Sequence, residues 1–320
     1  MNKICVVGSL NIDMVLNMSR LPKLGETLMV ETLEKVQGGK GGNQACGASR
    51  LGSQVTMVGA IGNDEYGQLL KEGLEKDGIN TRYLKKVDGP SGMAIITVDI
   101  VGNNTIAVIP GANEQVTVED IINVTSAIEK SDVIISQFET PVEATLQAFK
   151  IGKESGAITI LNPAPYQEVP RELLQYTDMI IPNETEAFDL TGVQVVDEAS
   201  AVKASENLIS QGVKYVIITM GKDGAILVNQ EKSAFIKAFK VDAVDTTAAG
   251  DSFIGAISSK INHRMLEAFD DMKAIVEYGN RVSSITVTKP GAQSSLPTLS
   301  EVEAILGGSK KHEKGTLIKQ

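Results

Sequence analysis

Short, nearly unbroken apolar runs alternate along the chain with stretches whose apolar residues recur every three or four positions. The runs are residues 4–7, 55–61, 133–136, 159–161, 179–181 and 216–219. The helical spacing falls at residues 44–51, 67–76, 118–128, 142–153, 184–190, 201–209 and 253–261. A strand that is apolar throughout is covered on both faces, and a helix between successive strands supplies the cover. The rhythm predicts an α/β fold with a mostly parallel central sheet and helices on both faces. Two segments, residues 12–36 and 93–109, break it with strand-like alternation and no long helix, as in Ala94-Ile95-Ile96-Thr97-Val98. They are expected to pair as a small antiparallel β lid over the ends of the parallel strands. Residues 225–228 and 235–241 read as an antiparallel extension of the main sheet. The expected organisation is an α/β domain of residues 1–11, 37–92 and 110–306, a lid of residues 12–36 and 93–109, and a tail at 307–320.

Composition narrows the function. A chain of 320 residues with 42% apolar and 22% charged residues is built for a substantial soluble core. The formal net charge of -10 argues against nucleic acid and anionic membrane as partners. The basic stretch Lys310-Lys311-His312-Glu313-Lys314 reads as part of a solvated tail. Cys5 and Cys46 lack a CxxC spacing, so neither a disulfide framework nor a zinc site is expected. The opening Lys3-Ile4-Cys5-Val6-Val7-Gly8 is too short for a signal peptide, and no apolar run reaches the roughly 18 residues of a membrane helix. A cytoplasmic protein is expected. His263 and His312 both lie in polar surroundings, so a general base is expected to be a carboxylate.

Two stretches carry the chemistry. In Asp245-Thr246-Thr247-Ala248-Ala249-Gly250-Asp251-Ser252-Phe253, small residues lead into an apolar helix. Uncovered N–H groups at a helix start form an anion site. Asp251, in or beside the first turn, reads equally as a helix charge partner and as the carboxylate that accepts a hydroxyl proton beside a phosphoryl group. In Gln37-Gly38-Gly39-Lys40-Gly41-Gly42-Asn43-Gln44-Ala45, four glycines around a lysine allow a polar ligand close to the backbone ahead of a helix. Lys40 is either a surface charge or a ligand contact. No Gly-Lys is followed by Ser or Thr, which excludes a Walker A loop, and Gly8-Ser9-Leu10-Asn11-Ile12-Asp13 does not match the dinucleotide fingerprint, which removes a dehydrogenase.

These segments, with Asn162-Pro163-Ala164-Pro165, Pro182-Asn183-Glu184-Thr185-Glu186-Ala187 and Gly291-Ala292-Gln293, resemble the ribokinase family of carbohydrate kinases, in the expected order from residue 4 to about 306. Gly42 replaces the family's usual alanine and Ser252 its common threonine. The resemblance implies ATP-dependent phosphorylation of D-ribose at O5, with ATP, Mg²⁺ and K⁺ as cofactors and a homodimer formed through the lid. Alternatives are another acceptor such as deoxyribose or adenosine, or a non-catalytic sugar-binding regulator on the same fold. It makes Asp251 the base and the N–H groups of Ala248, Ala249 and Gly250 the anion hole. Asn11, Ile12, Asp13, Gly39, Lys40, Gly41, Gly42, Asn43 and Glu139 would line the sugar pocket. Asn183 and Glu186 would position Mg²⁺ and phosphates through water. Thr219, Met220, Gly221, Lys222, Asp223, Gly224 and Asn280, with Gly250 and Asp251, would hold the nucleotide. From the residues alone, Glu139 is a loop charge, Asn183–Glu186 a capping box and Asn280 a polar residue on a helix.

Asp245 raises a separate question. A carboxylate so near a phosphate site repels it unless something cationic intervenes, and a bound K⁺ meets that need. The resemblance adds Thr247, Thr286, Lys289, Gly291 and Ser295, mostly through backbone carbonyls. The alternative is that Asp245 only ends a strand or pairs with a lysine.

Overall fold

The computed structural model of the protein describes residues 1–101 and 103–306, so the tail expected at 307–320 lies outside the described residues. The strands are β1 (Lys3–Val7), β2 (Asn11–Met18), β3 (Thr32–Gly38), β4 (Gln54–Gly62), β5 (Asn80–Val87), β6 (Gly92–Asp99), β7 (Asn104–Ile109), β8 (Val133–Gln137), β9 (Ile158–Asn162), β10 (Met179–Ile180), β11 (Tyr215–Thr219), β12 (Gly224–Val228) and β13 (Ser233–Lys237). A nine-stranded sheet runs β13-β12-β11-β10-β9-β8-β1-β4-β5. It is parallel from β11 to β5, and β12 and β13 extend it antiparallel, as expected.

Burial on both faces explains the apolar runs. Along β1, Ile4 and Val6 enter one core with Met57, Ile135, Phe253 and Ile257. Cys5 and Val7 enter the opposite core with Ile134, Ile128 and Phe149. Fully burying one large apolar side chain stabilises by about 1.5–3 kcal/mol, so neither face of the sheet survives without its helices. Helices Ala249–Lys260 and Phe269–Thr286 cover the first face, and Val142–Glu154 and Glu198–Ser210 the second. The stretch at 118–128 divides into Val118–Asn123 and Thr125–Ile128. Strand β5 has no counterpart among the apolar runs. Its Arg82, Lys85 and Lys86 suit an outer strand that faces water.

The second sheet has the order β3-β2-β6-β7. Its β2–β3 and β6–β7 pairs are antiparallel as expected, but the central pair β2–β6 is parallel. The two pairs come from separate parts of the chain, and both inner strands leave the main sheet in the same sense. Every residue of β7 is exposed.

Loops at the carboxyl ends of the parallel strands bring the polar motifs together. Gly8 follows β1, Glu139 follows β8, Asn162 closes β9, Asn183 follows β10 and Thr219 closes β11. Ligands of open α/β sheets bind at this edge.

Candidate active site

Helix Ala249–Lys260 starts abruptly because Ala248 adopts a left-handed conformation with φ 57, the sole positive-φ residue other than glycine among the described residues. For an alanine this costs about 1–2 kcal/mol, strain that persists only where the surroundings impose it. The first turn borders a cavity of about 220 Å³, lined among others by Lys40, Asn183, Glu186, Thr219 and Asp251. Ala249 does not serve the expected anion hole freely, because its N–H already donates to Thr246 O at 3.2 Å. Gly250 keeps its first-turn position with open space where a side chain would stand. Asp251 is buried, and no side chain caps this helix. Its carboxylate accepts from Asn43 Nδ2 and Gln44 Nε2, each at 2.9 Å.

The glycine stretch is not a loop ahead of a helix. Helix Lys40–Arg50 begins at its lysine, so Gly41 and Gly42 form the first turn. A Cβ on Gly41 would lie 2.6 Å from Ser9 N and 2.7 Å from Gly8 C, so the turn seats against the backbone after β1 only because it is bare there. Gly39 enters with φ 83. The turn donates Gly42 N–H to Ser9 O at 2.9 Å and Lys40 N–H to the Glu139 carboxylate at 3.0 Å, and that carboxylate also takes the Ser9 hydroxyl. Burial works to lower the Lys40 ammonium, but the carboxylates of Asp251, Glu139 and Glu186 outweigh it and hold its pKa above the usual lysine value.

On the other wall, β2 presents Asn11 and Asp13 on one face. Ile12, expected with them, turns its side chain into the core, as strand alternation requires. Asn11 Oδ1 accepts from Asn113 Nδ2 at 2.8 Å, and Asn113 also brackets Leu10 by bonding to both its N–H and its carbonyl. Burial, reinforced by Glu139 and Asp251, pushes the Asp13 carboxyl up to about 7. The Oδ1 atom of Asn43 is buried without a partner. Asn11, Asn113, Glu139 and Thr140 border a cavity of about 430 Å³ under the small sheet.

On the far side of the helix start lies a third cavity, of about 700 Å³, bordered by Gly221, Lys222, Asp223 and Asn280 and sharing Thr246 and Ala249 with the 220 Å³ cavity. Met220 and Gly224 do not border it. Met220 packs in the core, and Gly224 at φ 127 closes the turn into β12. The Asn280 amide donates to Ile236 O and Lys237 O, which pins its helix to the end of β13. Asn183 and Glu186 form a reciprocal capping box at 2.8 and 2.9 Å, as the residues alone predict, and both border the 220 Å³ cavity. Burial raises the Glu186 carboxyl.

Of the five residues set around Asp245, two meet it directly. Its carboxylate accepts from Thr247 N–H and Oγ1 at 2.8 and 2.6 Å and from Gly291 N–H at 2.8 Å. Burial pushes this carboxyl up, but those donors outweigh burial and hold it below the ordinary range. The Lys289 ammonium turns away to Glu301 at 2.6 Å, the buried Thr286 hydroxyl donates to Val282 O, and the Ser295 hydroxyl donates to Ala292 O. A cation here would have to be held by backbone carbonyls beside one carboxylate. Among the described residues no three His, Cys, Asp or Glu side chains gather as a metal cluster. Mg²⁺ would fit as a companion of bound phosphates, with Glu186 reached through water.

Ser9, Gln44, Gln137, Asn113 and Asn162 also belong to this site, though motif reading gave them no role. Ser9, Gln44 and Asn162 lie inside the motifs, which was their signal. Gln137 ends a buried strand, Asn113 follows β7, and nothing local marks either one.

A bare helix start beside a buried carboxylate, with a polar cavity under the small sheet and a larger cleft beside the helix, suits a phosphotransferase acting on a small polyhydroxyl acceptor. A family model described as pfkB family carbohydrate kinase matches residues 1–299, and the chain belongs to that family. It is 42% identical over 306 residues to a ribokinase of Staphylococcus aureus, covering 95% of this chain and 99% of that one. It is 35% identical over 305 residues to a deoxyribokinase of Salmonella typhi, covering 95% and 98%. A solved structure of Arabidopsis thaliana ribokinase complexed with ribose and ATP superposes with a TM-score of 0.85 at 30% identity, covering 95% of this chain and 98% of that one.

Proposed function

We propose that the protein transfers the terminal phosphoryl group of ATP to the 5-hydroxyl of D-ribose, giving D-ribose 5-phosphate and ADP. The observation that carries this reading is Asp251: buried, not spent on capping, in the first turn of the bare helix start and close enough to Asp13 to raise its pKa. Asn11 and Glu139, which border the 430 Å³ cavity, would supply acceptors for sugar hydroxyls together with Asp13 and the unpartnered Asn43 Oδ1. Asp251 takes the proton of the attacking hydroxyl. The hydroxyl oxygen bonds to phosphorus as the bond to the ADP oxygen breaks, and the helix-start N–H groups with Lys40 carry the charge of the transferred group. The 700 Å³ cleft takes the nucleotide. Mg²⁺ would neutralise phosphate charge with Glu186 and Asn183 reached through water, and K⁺ would sit on carbonyls beside Asp245. The small sheet acts as a lid that excludes water from the transfer.

A homodimer fits the lid's surface. Val15, Ile96 and Ile106 stand in one row across the ladders, and Asp13, Ala94 and Val108 in the next, all on one face. That face continues from the acceptor pocket into exposed Ile106 and Val108, which a second lid would cover. A co-substrate such as ATP supports the cytoplasmic placement.

Deoxyribose is the second reading, favoured by the deoxyribokinase relative. An assay of ADP release over ribose, deoxyribose, fructose 6-phosphate and adenosine decides between them. The expected order has ribose first, with clear activation by K⁺ over an organic cation at equal ionic strength. A faster deoxyribose would move the substrate, and no release with any acceptor would leave a sugar-binding regulator.

A further inference from the structure

Behind Asp251 lies a chain of buried amides that the phosphoryl-transfer reading leaves without a task. Gln44, fully buried in helix Lys40–Arg50, donates its Nε2 to Asp251 Oδ1 at 2.9 Å and to Asn162 Oδ1 at 3.1 Å. Its Oε1 accepts from Gln137 Nε2 at 2.7 Å, and Gln137 is also fully buried. Asn162 in turn donates Nδ2 to Ile181 O at 3.2 Å.

The direction of each amide follows from its neighbours. Turned end for end, Gln44 would set its oxygen against two acceptor oxygens and its NH₂ against another NH₂. Each buried polar group so mispaired costs about 1–3 kcal/mol. Gln137 fixes Gln44 from behind, while its own Oε1 is buried without a partner. It stands where a Cβ on Gly8 would be only 2.2 Å away, so the bare backbone after β1 is what admits it. A buried glutamine tolerated with an unpaired oxygen is there for what its NH₂ does.

We infer that Gln44, oriented by Gln137, is a positioning residue for the reaction: together with Asn43 it holds one oxygen each of Asp251 and so fixes the rotamer in which that carboxylate meets the acceptor hydroxyl. The inference rests on the kinase reading above. Asn43 and Gln44 are successive residues of one helix turn, and Asp251 is reached from another helix. The two donors therefore clamp the carboxylate plane between two packed elements rather than tethering it at one point. A carboxylate held by Asn43 alone keeps its position and loses its orientation, which costs rate and not substrate affinity.

The test measures ATP-dependent kinetics of Gln44→Met and Gln137→Met, which keep volume and remove the amide, in the wild-type and Asp251→Ala backgrounds. Thermal unfolding and nucleotide binding check the fold. With Asp251 present, Gln44→Met is expected to lower kcat about 10–100-fold, the usual effect of losing a group that orients a functional one, with both KM values within about twofold. In the Asp251→Ala background it is expected to lower the residual rate by less than about twofold, because nothing is left to orient. Gln137→Met should show a smaller loss with the same dependence on Asp251, and it decides the matter if Gln44→Met does not fold. A folded variant with near-normal kcat overturns the inference, as does an equal loss in both backgrounds, which would make the amides plain packing. If the wild-type chain releases no ADP with any acceptor, the kinase reading fails and the inference falls with it. An active wild type with an indifferent Gln44→Met overturns the inference alone.

Discussion

Carboxylates crowd this site within a chain that is acidic overall, and their separate surroundings assign them different work. Asp251 touches the amides of Asn43 and Gln44 and caps nothing. Asp251→Asn is therefore expected to preserve the fold and nucleotide binding while lowering turnover about 10²–10⁴-fold in an ADP-release assay. Near-normal turnover would return Asp251 to a structural role. Asp13 is the opposite case, a carboxyl pushed up to about 7 by burial and by its acidic neighbours. Its folded pKa stands above its unfolded one, so between roughly pH 4 and 7 the native state binds the extra proton. Its contribution to stability is thus present at low pH and lost as pH rises toward 7. Asp13→Asn should raise Tm more at pH 8 than at pH 5. An equal shift at both values would show that Asp13 does not titrate there.

At the scale of elements, the site depends on two helix starts that violate ordinary preferences. One is Ala248 at φ 57, and the other is a first helical turn containing Gly41 and Gly42. Glycine in a helix costs roughly 0.5–1 kcal/mol against alanine, so Gly41→Ala would stabilise an open helix. Here the new Cβ would meet backbone at 2.6 Å, which a packed junction resists at about 1–3 kcal/mol. The net expectation is a lower urea midpoint together with a raised sugar KM, since the same turn carries Lys40 and Asn43. A raised midpoint would mean that the junction yields. Motif reading found this turn but took it for a loop. Glycine content signals close approach, and only the Ser9 and Gly8 backbone reveals that what approaches is protein, with the helix already begun.

At the scale of the whole molecule, the two sheets differ in how fully they are covered. The nine-stranded sheet is packed on both faces, whereas the small sheet carries Ile106 and Val108 at 58% and 49% exposure on the face it shares with Asp13. If a second lid covers this face, Ile106→Lys should convert a dimer to a monomer in sedimentation velocity and raise the sugar KM while leaving the ATP KM unchanged. A wild-type monomer, or a variant that stays dimeric, would place the interface elsewhere or nowhere.

The α/β architecture was legible in the apolar runs because a strand buried on both faces has no room for polar residues. The antiparallel extension at β12 and β13 was expected as well, and β12 is buried along its whole length. Strand β5 was not, since an outer strand with Arg82, Lys85 and Lys86 has no apolar signature. Nor was the parallel pairing of β2 with β6, which depends on how two distant segments leave the main sheet. The polar motifs pointed to the chemistry because bare glycines, a lone lysine and an unexplained Asp beside a helix start are costly unless a ligand uses them. What only the tertiary structure decided is which groups meet. Gln137 stands 93 residues from Gln44 in the chain and Asp251 stands 207 from it, and the bonds joining them exist because the carboxyl ends of the parallel strands converge there. Local sequence determines what a turn can be, and the packing of strands far apart in the chain determines what it faces.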